Sequence, residues 1–410
     1  MRQKKSKSFQ VKSFILVGLM LSSVVFATTA RVQVPATSTQ SDPPIAQPCE
    51  QQFDESRIST KTKEALAKQG VNASTVAGRR FRLGASSDLE NLREYLQGTD
   101  IPKDLPRIAQ RVRRESQRRM AQQELNQFKF KEAHPGARFE PYNKLFETIK
   151  AAARKKRPRM PVAKNLSWFA AALDRFDWGD WGILSPVLNQ GQCQSCWAFA
   201  ATAAYESNVR FQDMKMQYTR FEKLPDGTEV PVAPAYKVFD LSEQALLNCI
   251  ADKENGCEGG WPGAAFDFMV TNGLADGWSA DYVGEVQRCK VKKGLKAAAW
   301  GFVTDPPTQP TVIQLKRALL DHGPIVVSVN VGKWMFFYRC GVFDMKEEGR
   351  PGHSVLLVGW DDSKRAWRIQ NSWGEEWGEK GFMWIAWDSN SVGHYATWIE
   401  APIGVNTGLL

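Results

Sequence analysis

The sequence predicts an α+β protein, with a helical part followed by a β-rich part and a long basic extension in front. Three observations carry this. Residues 197–210, WAFAATAAYESNVR, are Ala-rich and read as a buried helix, and LSEQALLNC (241–249) reads as another with Ser242 as its N-cap. Beyond about residue 175 tryptophan and glycine become frequent, and short β-branched runs appear at 325–331, 354–358 and 382–385. Helices first and strands later favour segregated α and β lobes over an alternating sheet. Finally, residues 175–410 carry 22 Lys and Arg against 28 Asp and Glu, whereas residues 1–174 carry 32 against 16. The net charge of +10 is therefore confined to the N-terminal part, which argues for docking of one half on the other and against a nucleic-acid partner.

In chain order, MRQKKSKSFQVK is a basic n-region, 14–27 is an apolar run too short to span a bilayer comfortably, and 25–27 fits a small-residue cleavage signal. Residues 1–27 thus read as a signal peptide, with no stable membrane span after its removal. Export permits disulfides among the seven cysteines. Residues 28–50 are rich in Thr, Ser, Pro and Gln, as a linker is. DLENLREYLQ (88–97) has leucines at helical spacing, and a longer, Arg-rich helix is predicted after Pro106, ending near residue 133. So polar a helix needs a partner surface or stays solvated. RKKRPR (154–159) is the kind of basic, Pro-interrupted run that proteases cut. Within the polar stretch 214–239, Pro225-Asp226-Gly227 predicts a hairpin turn.

The chemistry centres on NQGQCQSCWAF (189–199). Its C-x-x-C pair is compatible with half a zinc site, a redox dithiol, or two cysteines with unrelated tasks. No second pair lies at zinc-like spacing, only four histidines exist, and the βαβ context of a redox dithiol is absent. Cys196 opens the predicted 197–210 helix, where free N–H groups and the positive end of the macrodipole favour a thiolate. Downstream, His353 in PGHSVLLVGW and Asn371 in QNSWGEEWG complete a nucleophile, a base and an orienting amide. Gln190 offers a side-chain N–H to a developing oxyanion.

These blocks, with CEGGWP, resemble in order and spacing the papain-like cysteine peptidases, from Asp177 to about Pro402. The resemblance implies a two-lobe fold, with a helical left lobe and a β-barrel-like right lobe, and a cleft between them for a peptide or protein substrate. It implies that Cys196 is the nucleophile, His353 the base and later the acid, and Asn371 the group that orients the imidazole. Gln190 and the Cys196 backbone N–H form the oxyanion hole, and Trp373 shields the Asn371–His353 bond. Gly259 and Gly260 would pair with substrate backbone, while Trp261, Pro262, Ser328 and Ser354 would line the S2 pocket. By the same resemblance Cys193 pairs with Cys257 and Cys249 with Cys289, and no metal or cofactor is needed. Cys49 and Cys340 are expected to be free or separately capped, a bridge between them being arithmetically open but unsupported.

The implied organisation is a signal peptide at 1–27, linker and propeptide at 28–174, the peptidase domain at 175–402 and a tail at 403–410. The product would be a secreted, extracellular, periplasmic or endolysosomal monomer, made as a zymogen inhibited by its own propeptide. Glu115, Arg119 and Asn126 match the family's propeptide helix, with Phe130 as an apolar substitute; Gln123 and His134 do not. Gln194 stands where the family usually has glycine, and 214–239 is longer than the family needs. A catalytically silent binding protein is the alternative, although Cys196, His353 and Asn371 are all present.

Overall fold

In the computed structural model the strongest signals in the sequence become the central elements. It describes residues 64, 79–83, 98–133, 140–157, 165–216, 220–223, 229–232, 240–250, 255–277, 280–290, 294–332, 334–347 and 349–402. All of them belong to one unit, 48–410. The signal peptide, the 28–50 linker, the 88–97 helix, the 225–227 turn, Cys49, His134 and the 403–410 tail lie outside the described residues.

The Ala-rich stretch forms helix α3 (Cys196–Met216), longer than its predicted 197–210. Its alanines let other chains pack closely all round it, so Trp197, Ala201, Ala204 and Tyr205 are fully buried. Helix α4 (Glu243–Ile250) begins where expected, with the Ser242 hydroxyl accepting from the Ala245 N–H at 3.1 Å. Helix α5 (Pro262–Thr271) has proline in its first turn, where a missing N–H costs nothing. Helix α6 (Val312–His322) starts on a capping box between Thr311 and Gln314.

The strands are β1 (Phe81–Leu83), β2 (Arg175–Asp177), β5 (Ala299–Phe302), β6 (Ile325–Val329), β7 (Tyr338–Phe343), β8 (His353–Asp361), β9 (Ala366–Gln370), β10 (Phe382–Ala386) and β11 (His394–Glu400). They form one sheet in the order β1-β7-β10-β9-β8-β6-β11-β5, with β2 beside β8. Strands β6 and β8 are buried along their whole length, which is why 325–329 and 354–358 read as continuous apolar runs rather than alternating ones. The predicted 325–331 strand stops at Val329. Strands β3 (Arg220–Lys223) and β4 (Glu229–Val232) pair as the hairpin expected within 214–239.

Apolar side chains gather in two large cores, with a small third cluster of Val342, Ala366, Trp384 and Ala386. One packs against the sheet and includes Trp178, Phe211, Trp360 and Trp367. The other surrounds α3 and α5 and includes Trp197, Phe266, Trp261 and Trp300. The predicted Arg-rich helix is α1 (Leu105–Ala133), and α2 (Glu140–Lys156) follows it. Both dock through narrow stripes at helical spacing: Leu105, Ala109 and Val112 on α1, and Leu145, Ile149 and Ala153 on α2. The basic end of α2, Arg154 to Lys156, suits the negative pole of its helix. No helix among the described residues is long and apolar enough to cross a membrane.

Candidate active site

The two lobes meet where α3 begins. Cys196 is the first residue of that helix and is fully buried. Opposite it, His353 opens β8. The His353 Nε2–H donates to Asn371 Oδ1 at 2.8 Å, and the same oxygen accepts from the Ser372 N–H at 2.9 Å. With Nε2 committed to Asn371, the buried Nδ1 is the ring nitrogen left to serve Cys196. Trp373 packs on the imidazole with ring centroids 4.9 Å apart, and is itself held between Phe336 and Trp377.

Burial alone would push the Cys196 thiol up. The charge of His353 together with hydrogen bonds from His353, the Ser354 N–H and the Thr99 hydroxyl outweighs it, and the thiol lies below its ordinary value. The Ser354 N–H reaches Cys196 Sγ at 3.5 Å.

Gln190 is fully buried beside this pair. The Ser372 hydroxyl donates to its Oε1 at 2.6 Å, and its Nε2 donates to the Cys193 carbonyl at 2.9 Å. These two bonds fix the amide, with a second N–H to spare. Tyr282, which the sequence did not single out, braces the turn by donating to the Gln190 carbonyl at 2.7 Å and bonding the Ser195 hydroxyl at 2.8 Å.

Cys193 is bonded to Cys257 and Cys249 to Cys289, as the resemblance implied, and Cys196 is the free cysteine among the described residues. The Cys193–Cys257 bridge and the Gln194 N–H to Cys257 carbonyl bond of 2.9 Å tie the start of α3 to the glycine loop. A Cβ on Gly260 would collide with the indole of Trp197, the residue next to Cys196. Trp261 and Pro262 follow at the start of α5, and Ser328 and Ser354 face each other across β6 and β8.

One expectation is corrected. Cys340 is disulfide-bonded, not a free or separately capped thiol, and its partner lies outside the described residues. The reason is proximity: β1 adds to the edge of β7 with Arg82 opposite Cys340, so the N-terminal extension lies against this strand.

The extension also enters the cleft, at residues with no motif around them. Gly98, Thr99 and Asp100 form a strap between the lobes. The Gly260 N–H donates to the Gly98 carbonyl and the Asp100 N–H to the Gly260 carbonyl, both at 2.8 Å; on the other side the Thr99 N–H donates to the Gly352 carbonyl at 2.9 Å. The Thr99 hydroxyl lies 2.6 Å from Ser354 Oγ and 3.6 Å from Cys196 Sγ. Gly259 has φ +131°, and a side chain there would meet the Asp100 carboxylate. Gly98 presses on the Gln194 carbonyl, leaving no room for a Cβ.

Behind the site, Glu206 and Glu243 are buried together. Burial pushes Glu206 up to about 7, against the bonds it accepts from the Ser185 hydroxyl and the Leu241 N–H; burial and the charge of Glu206 push Glu243 well above the carboxylate range. A carboxyl raised on folding binds more protons in the folded than the unfolded chain, so stability falls as pH rises from about 4.5 to about 7. Glu206→Gln should flatten that slope by on the order of 2 kcal/mol, read from urea midpoints at pH 4.5 and 7.5. An unchanged slope would exclude Glu206 as its source.

The papain family cysteine protease model matches residues 172–221 and 230–402, and its gap falls within the hairpin region. Mouse cathepsin K is 33% identical over 248 residues, covering 57% of this chain and 68% of the relative. A cathepsin L-like protein of Caenorhabditis elegans is 34% identical over 254 residues, covering 58% and 68%. Among solved structures, digestive procathepsin L2 from Tenebrio molitor larval midgut superimposes with a TM-score of 0.53 at 21% identity, covering 83% of this chain and 88% of that one. That likeness supports the fold, with a segment in front of the peptidase domain. By its matched family, this chain belongs to the papain family of cysteine proteases, which are hydrolases.

Proposed function

We propose that the protein is a secreted cysteine peptidase made as a zymogen, hydrolysing peptide bonds at Cys196 and held inactive by its own N-terminal segment. The observation that carries this is the buried Cys196 thiol at a helix N-terminus, lowered by His353, with Asn371 fixing the imidazole. The Cys196 thiolate attacks the scissile carbonyl carbon, and the oxyanion accepts from the Cys196 backbone N–H and the spare N–H of Gln190. The tetrahedral intermediate collapses to a thioester as His353 gives its proton to the leaving amine. Water, deprotonated by His353, then hydrolyses the acyl-enzyme and restores the thiolate. Gly260, which bonds the strap through both backbone groups, is the natural pairing site for substrate.

The strap supports inhibition by occupying that same backbone and lying against Cys196. The test is hydrolysis of an unstructured polypeptide by the intact chain and by chain cleaved upstream of the peptidase domain, under mild thiol reduction. Hydrolysis should follow cleavage; none in either form would refute the reading. Gly98→Val, which drives a side chain into the Gln194 carbonyl, should raise activity of the uncleaved chain by about ten- to a hundredfold. An unchanged rate would mean that the strap does not inhibit.

A further inference from the structure

The inhibitory strap precedes α1 and α2 in the chain, while those helices are built into the two cores. We infer that the removable inhibitor ends before Leu105, and that α1 and α2 stay on the working enzyme, where α1 holds the Trp261 side of the cleft. This rests on the peptidase reading above.

The strap and the helices are held in different ways. Residues 98–100 are bound chiefly by backbone hydrogen bonds, the kind a competing peptide can replace. Lys103 and Asp104, just after, form an exposed turn, the sort of place where chains are nicked. Then the character changes. Leu105 and Val112 of α1 join the core that contains Trp197, Phe266 and Trp300, and Ile108 packs against it. Gln123 donates from Nε2 to the Ala401 carbonyl at 2.9 Å, at the far end of the peptidase domain. Leu145, Ile149 and Ala153 of α2 belong to the sheet core, and Phe146 meets Phe169 edge-on at 5.6 Å. Taking the helices away would bare an apolar strip in each lobe. The basic run at 154–159 is a poor release point, because Arg154 to Lys156 are the last turn of α2 and a cut there leaves the strap in place.

α1 also reaches the cleft wall through a short relay. Arg111 donates to Asp267 with both nitrogens of its fork, at 3.3 and 2.6 Å. Asp267 Oδ1 accepts as well from the indole N–H of Trp300 at 2.9 Å. The Trp300 ring packs edge-on against Trp261 at 5.8 Å, and Trp261 follows directly on the strap-binding Gly260. Arg111 is therefore a positioning residue: it touches no substrate, but it holds the carboxylate that orients the indole behind the wall.

Two full-length variants test this, one with a recognition sequence for an added site-specific protease between Lys103 and Asp104, the other with it after Arg157. Each is cut under mild thiol reduction, which opens the bridge of Cys340 so that it does not tether the N-terminal piece. It is then cleared of reductant and of any released piece, exposed to a thiol-directed inactivator, assayed for peptide hydrolysis, and weighed intact. The first cut should give hydrolysis and Cys196 labelling on a polypeptide that still contains residues 105–157. The second should give neither, because the strap remains seated. Full activity after the second cut, on a chain that has lost 1–157, would overturn the inference. If neither form labels Cys196, it is the peptidase reading that fails. In the first cut form, Arg111→Ala should raise KM about two- to fivefold with kcat little changed, and Arg111→Lys should fall between. Equal KM in all three would remove α1 from the cleft.

Discussion

Replacing Cys196 by alanine should abolish peptide hydrolysis, lowering kcat by about four orders of magnitude or more, while the fold persists. The thiol sits at the head of α3 without a disulfide partner, and its contacts, the Ser354 N–H and the Thr99 hydroxyl, are long and weak. Losing one sulfur from this position leaves the tryptophan-rich cores intact, so thermal unfolding should move little. The strap should stay seated, since its backbone bonds go to Gly260 and Gly352 rather than to the sulfur. Comparing cleaved wild-type and Cys196→Ala chains therefore isolates the chemical step. Residual hydrolysis within tenfold of wild type would place the nucleophile elsewhere.

The second large effect concerns Gln190. Removing an oxyanion donor should lower kcat by about a hundred- to a thousandfold, with KM far less affected. Gln190→Ala also leaves the buried Ser372 hydroxyl without its acceptor and takes one donor from the Cys193 carbonyl, which keeps the Ser195 N–H at 2.8 Å. Its stability should fall by about 1–3 kcal/mol. Gln190→Glu separates the two contributions: it keeps an acceptor for Ser372 but places a negative charge where the oxyanion forms. It should be at least as inactive as the alanine variant while recovering part of the stability. Equal kcat in all three proteins would exclude Gln190 from the reaction.

Much of this site was legible in the sequence because its members stand in distinctive local surroundings. Cys196 opens an alanine-rich helix, His353 follows a glycine at the start of a buried strand, and Asn371 comes directly after another. Each backbone context fixes where its side chain points, so the types and order of residues already suggest the chemistry. The two disulfides in the helical lobe were readable only through the resemblance, and the bonding of Cys340 was not. Its environment depends on β1, which comes from more than 250 positions upstream.

The strap was illegible for a related reason. Gly98, Thr99 and Asp100 act through their backbones and one hydroxyl, on partners that come close only in the folded chain. Charge asymmetry did anticipate that α1 docks on the peptidase domain, and Arg111 with Asp267 and Arg113 with Asp305 form such contacts. The propeptide-like pattern was less informative. Glu115 pairs with Arg111 and Asn126 accepts from Gln122, both within α1, whereas the non-matching Gln123 crosses to Ala401. Side-chain types alone do not reveal which face of so polar a helix is buried.

The proposed hydrolysis at Cys196 depends on His353 favouring the ionised thiol within the assembled cleft. The most direct measurement is the alkylation rate of Cys196 by iodoacetamide as a function of pH, in cleaved wild-type protein and in His353→Ala. In the wild type the rate should rise at a pH below the ordinary thiol range, because the imidazolium and the hydrogen bonds to the sulfur together offset the cost of burying the thiolate. In the variant that rise should move above the ordinary range, where burial alone would put it. Wild-type alkylation that rises only in the ordinary thiol range, with no change on losing His353, would contradict the account.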